Sequence, residues 1–113
     1  ARERRRSIPM ADKNMMLNTF LTRIQHLEGD DECLEPIKSA LTALSNDVLS
    51  HTDTPDNDFL LSRFEHCMHE INAFEDSIET VERESILEFL YALGDAVGLP
   101  SDDDYLEAWR GDW

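Results

Sequence analysis

The sequence predicts an all-α chain, an antiparallel four-helix bundle with a short fifth helix at its C-terminal end. Apolar residues recur at steps of three and four along most of the 113 positions, Gly and Pro are scarce at four each, and β-branched residues are scattered rather than alternating. A first helix is expected over about residues 13–28, where Leu17, Phe20, Leu21, Ile24 and Leu27 form one stripe and Gly29 is placed to stop it. Asp30 and Asp31 then open a second helix, about 32–50, whose Leu34, Ile37, Leu41, Leu44 and Val48 alternate in threes and fours as an a/d seam. Pro36 is expected in its first turn, where a missing N–H costs little.

Residues 51–57, His-Thr-Asp-Thr-Pro-Asp-Asn, are turn formers and read as the loop that halves the chain. The third helix, about 58–74, repeats the seam with Leu60, Phe64, Cys67, Ile71 and Phe74, widened by Leu61 and Met68. Asp76 and Ser77 beside Ile78 predict a break and a cap. A fourth helix then runs to about Val97 with Val81, Ile86, Phe89, Leu90, Leu93 and Val97 on its apolar face, stopped by Gly98-Leu99-Pro100. Ser101 with Asp104 three residues on resembles a capping box and predicts the short fifth helix, ending near Trp109. Residues 1–9 are expected to be a disordered extension or a tag remnant, since Met10 could serve as the initiator. Residues 10–113 then form a single helical domain.

Charge narrows the functions open to such a domain. Ten Lys and Arg stand against 25 Asp and Glu, a formal net charge of −15, and four of those basic residues (Arg2, Arg4, Arg5 and Arg6) fall in the first six positions. From Met10 onward the body carries 6 basic and 24 acidic residues, or −18. Phosphate binding is built from Lys and Arg that displace condensed counterions, so direct nucleic-acid binding is not expected. No apolar run approaches the roughly 18 residues of a membrane helix, and the N-terminal segment has no apolar core of a secretory signal, so a cytoplasmic protein is expected.

No catalytic constellation stands out. There is no G-x-S-x-G, no Gly-rich phosphate loop and no H-E-x-x-H, and the chain is not expected to be an enzyme. The richest stretch in ligand-type residues, Glu65-His66-Cys67-Met68-His69-Glu70, puts Cys67 in the buried seam and the His–Glu pairs elsewhere on the helix, so neither a metal site nor a cofactor is expected. Cys33 and Cys67 read as ordinary thiols.

What remains is a set of acidic runs at 28–32, 53–58, 75–84 and 102–104. Each can serve solubility or a helix start. Together they repel one another and attract a basic partner. The candidate contact residues are Asp102, Asp103 and Asp104 with the aromatics Tyr105, Trp109 and Trp113, and as a second patch Glu79, Glu82 and Glu84. The alternative for Tyr105 and Trp109 is that they cap the core.

Residues 78–84, Ile-Glu-Thr-Val-Glu-Arg-Glu, with Phe89, Tyr91, Val97-Gly98-Leu99, the run 102–104 and the ending Arg110-Gly111-Asp112-Trp113, resemble the C-terminal half of a family of small acidic bacterial proteins described as a domain of unknown function. The resemblance covers about residues 57–113 and transfers no catalytic residue. Such proteins are similar in kind to bacterial immunity proteins, which implies a cytoplasmic antidote that binds a basic toxin, with a nuclease as the expected class. A homodimeric adaptor whose second- and third-helix seams pair between chains is the alternative, and an acidic decoy of nucleic-acid phosphates a third reading.

Overall fold

The computed structural model describes residues 10–49, 56–99 and 105–113. It is all-α: four helices, α1 (Met10–Gln25), α2 (Asp31–Leu49), α3 (Asn57–Asn72) and α4 (Thr80–Ala96), surround one apolar core, with no strand among the described residues. The expected N-terminal extension, most of the 51–57 loop and the Ser101–Asp104 start of a fifth helix lie outside the described residues.

α2 packs on both α1 and α3, and α1 also meets α4. The turn between α1 and α2 is short, which sets these two helices antiparallel. The α2 seam is buried in full: Leu34, Ile37, Leu41, Leu44 and Val48 are all in the core, joined by Cys33 and Leu49. Leu60, Phe64, Cys67, Met68 and Ile71 answer from α3. Apart from Phe74, both seams expected to pair between chains in the dimeric reading are therefore filled within one chain. Phe20 of α1 meets Phe89 of α4 edge to face, with centroids 5.6 Å apart, an arrangement that the ring quadrupoles favour.

The structure departs from the sequence expectations at helix ends. α3 stops at Asn72, so Phe74 falls beyond the seam and is 38% exposed. Val81, expected on the apolar face of α4, sits in its first turn and is 52% exposed. Pro36 lies inside α2 rather than in its first turn. Its ring supplies no N–H to the carbonyl of Glu32 four residues back, a gap tolerable because Glu32 is exposed to water. The cap of α4 is Glu79, not Asp76 or Ser77. Those two residues lie in a 3₁₀ turn, Glu75–Ser77, in which the Ser77 hydroxyl donates to the Phe74 carbonyl.

In place of a short fifth α-helix, the described residues hold a 3₁₀ turn, Tyr105–Ala108. The stop after α4 is as expected. Gly98 takes φ of 100°, Leu99 N–H donates to the Gly94 carbonyl at 2.7 Å and Gly98 N–H to that of Asp95 at 3.2 Å, which together make a Schellman ending.

Both cysteines are free and buried. Burial pushes the Cys67 thiol up to about 12 and also raises that of Cys33, so neither is poised to react as a thiolate. No helix among the described residues is long and apolar enough to cross a membrane.

Candidate functional site

Glu82 organises the part of the molecule where two of the acidic runs meet. It lies in the first turn of α4, is only 5% exposed, and uses both carboxylate oxygens. Oε1 accepts from the backbone N–H of Glu79 at 2.8 Å, three residues earlier, which caps α4. Oε2 accepts from the backbone N–H of Asp30 at 2.7 Å, 52 residues away. Asp30 in turn caps α2, its Oδ2 accepting from Cys33 N–H at 3.0 Å. One carboxylate thus sits against the starts of two helices, where the positive ends of both dipoles favour an anion.

The two backbone N–H groups, Asp30 first and Glu79 second, hold the Glu82 carboxyl below its usual range and outweigh the opposing effect of burial. Gly29 makes the approach feasible. It takes φ of 135°, and a Cβ there would run into Glu82 Cγ and Oε2. A parallel bond from Glu28 N–H to Ser85 Oγ, 3.0 Å, doubles the link between the α1–α2 turn and α4.

Glu82 is therefore withdrawn from the surface on which the sequence had placed it, and Glu79 and Glu84 of the same patch remain exposed. Around them the bonds to Glu82 and Ser85 gather Glu28, Asp30, Asp31 and Glu32, so the runs 28–32 and 75–84 form one acidic pole. The ion pairs among the described residues lie on other parts of the surface: Arg63–Asp47 at 3.8 Å, His66–Glu70 at 3.4 Å, His69–Glu65 at 4.0 Å and Arg110–Glu107 at 2.9 Å. The carboxylates of the pole thus have no cationic partner among the described residues.

The C-terminal patch is a docked tail. Tyr105 packs edge to face on Phe64 and Tyr91, at 6.0 and 5.5 Å, and lies tilted against Trp109 at 6.1 Å. Its hydroxyl is buried over Gly94, where a Cβ would collide with it. Burial foremost, with the neighbouring Tyr91 and Asp95, pushes this phenol up to about 12. Trp113 is 7% exposed, and its indole N–H donates to Asn72 Oδ1 at 2.6 Å.

Asn72 also accepts from Gly111 N–H at 2.9 Å and donates to the Trp109 carbonyl at 2.8 Å, while Glu75 Oε1 accepts from Asp112 N–H at 2.9 Å. Arg110 stacks 5.7 Å from the Trp113 ring and donates to its carbonyl. Tyr105 and Trp113 thus serve packing, and Trp109 keeps a half-buried ring at the edge. Asp102, Asp103 and Asp104 lie outside the described residues.

The chain matches no family model, no curated protein and no solved structure. Its chemistry must therefore be read from its own side chains. Among the described residues, no group of three or more His, Cys, Asp or Glu side chains could hold a metal ion. The His–Glu pairs on α3 are exposed and spaced four apart. Glu82 and Asn72 as structural hubs were not anticipated. For Glu82 the Glu79-x-x-Glu82 spacing ahead of an apolar run was the available signal, and for Asn72 there was none beyond its place at a helix end.

Proposed function

We propose that this chain is a cytoplasmic binding protein of the immunity type, whose acidic surface occupies a basic protein, a nuclease toxin being the class that fits best. The observation that carries this reading is the acidic pole, in which two runs distant in sequence are fastened side by side and hold one cation, Arg83, which forms no ion pair with their carboxylates among the described residues. Gathering like charge costs a small domain stability, and a nuclease must present Lys and Arg to its nucleic acid. Carboxylates held ready on a rigid frame meet such a surface without reorganising, and the long-range field speeds the encounter. The chain then works by occupancy, without catalysing a reaction.

Co-expression with the product of the neighbouring gene, followed by co-purification and mass spectrometry, tests the proposal. The expected result is a stoichiometric basic partner whose toxicity the chain suppresses, with association slowing roughly tenfold or more as salt rises to the physiological range. Recovery of the chain alone, dimeric by light scattering, would overturn it in favour of self-association.

A further inference from the structure

Beside the acidic pole, a cleft of about 340 Å³ opens between the last turn of α1 and the first half of α4. Val81, Glu84, Ser85 and Glu88 line it from α4 at spacings of three and four, a single helix face, and Phe89 and Leu27 supply its apolar floor. The α1 side contributes Arg23 and, just past the helix, His26 and Glu28.

The charges in this cleft are unbalanced. Arg23 lies over two core rings, its guanidinium 5.4 Å from the centroid of Phe20 and 6.0 Å from that of Phe89 in the cleft floor. Against it stand three exposed carboxylates, Glu28, Glu84 and Glu88, none with an ion-pair partner among the described residues. Glu84 and Glu88 are four apart on one helix, a like-charge pair that destabilises the free helix. His26 Nδ1 lies 2.9 Å from the Thr22 carbonyl and so carries the proton, which leaves Nε2 of the neutral ring as an acceptor. Acceptors thus outnumber the one guanidinium in the cleft lining, and the exposed Val81 adds apolar surface at its edge.

We propose that this cleft receives one arginine side chain of the basic partner. Its planar guanidinium, with five donors, would lie between Glu84 and Glu88 and reach Glu28 and His26 Nε2, while its alkyl stem and apolar neighbour cover Val81 and Leu27. The inference rests on the binding role proposed above and names the point at which that role is anchored.

The test is titration of the full ¹⁵N-labelled chain with acetyl-Val-Arg-Val-amide, its lysine analogue and its uncharged citrulline analogue. Expected are shifts confined to the cleft, centred on His26, Val81 and Ser85, in the order arginine, lysine, citrulline. Glu84→Gln/Glu88→Gln should reduce them about threefold or more at equal peptide concentration, whereas Glu35→Gln/Glu65→Gln, an equal loss of charge outside the pole, leaves them within about a factor of 1.5. The first pair relieves repulsion and should fold at least as well as the parent, which circular dichroism checks.

Equal response to citrulline, equal loss in both variant pairs, or shifts spread over the whole acidic surface would each overturn the cleft as an arginine site. Such a failure leaves the partner reading to the co-purification, which does not depend on the peptide. If a basic partner is recovered there, its unchanged affinity for Glu84→Gln/Glu88→Gln would overturn the cleft alone.

Discussion

Glu82 and Asn72 each tie together parts of the chain that are far apart in sequence, one with a charge and the other with a neutral amide. Glu82 receives only donors, the N–H groups of Asp30 and Glu79, each at the start of a helix. A carboxylate suits that place because it accepts at both oxygens and answers the dipoles of α2 and α4. Asn72 faces a tail that offers a carbonyl, from Trp109, as well as two N–H groups, from Gly111 and Trp113. Only a group that both donates and accepts can satisfy all three. Side-chain chemistry thus follows what the backbone presents, and a consequence is that one hub titrates and the other does not.

The largest effect expected from breaking this contrast is at Glu82. Glu82→Ala leaves two N–H groups without their charged acceptor and should cost about 3 kcal/mol in urea unfolding at neutral pH. The dependence on acid has a definite sign. The folded carboxyl is held below its ordinary value, so its contribution is complete above the unfolded value and is lost as pH falls through the lower folded value. The gap between parent and variant should therefore close in acid. A gap unchanged down to about pH 3, well under the ordinary carboxylate range, would show that the loss is one of packing and not of charge.

Asn72→Ala should cost less, about 2 kcal/mol, because its three bonds involve neutral groups and lie partly open to water. The cost should be flat with pH, and the Trp113 emission should shift to the red as the indole leaves its site. A loss that varied with acidity as steeply as that at Glu82 would erase the distinction between the two hubs.

How far these hubs were legible in the sequence depends on the range of the interaction. The α2 seam, the free thiols, the Gly98 stop and the acid-capped helix starts follow from periodicity and local hydrogen bonding, which act within a few residues. Val81 and Phe74 fit the same periodicity and yet are exposed, since a stripe says nothing of where the neighbouring helix ends. The Glu82 cap on Glu79 was local and readable in principle, whereas its bond to Asp30 across 52 residues was not. The acidic pole is of that second kind. The runs 28–32 and 75–84 are visible as runs, and their union depends on a tertiary contact. The aromatics Tyr105 and Trp113 look like a binding patch in sequence because composition cannot tell a ring that caps a core from one that meets a partner.

The smallest effects come from two glycines, one beside each hub, and they sharpen the comparison most. Gly29 lies at φ of 135°, and a Cβ there would strike Glu82, which cannot retreat without releasing Asp30. Gly29→Ala should therefore cost about 1–2 kcal/mol through strain and a loosened carboxylate together. Gly111 has an ordinary backbone conformation, and a Cβ there would strike only the end of Glu75 and come within 3.2 Å of Asn72 Cγ. Glu75 can swing away, giving up an exposed bond to Asp112 N–H that water replaces. Gly111→Ala should then cost no more than about 0.5 kcal/mol, since the yielding partner is a flexible side chain and not a pinned one. Comparable losses at the two positions would mean that Glu75 is held as firmly as Glu82, and the tail would then be a second rigid element, not a latch.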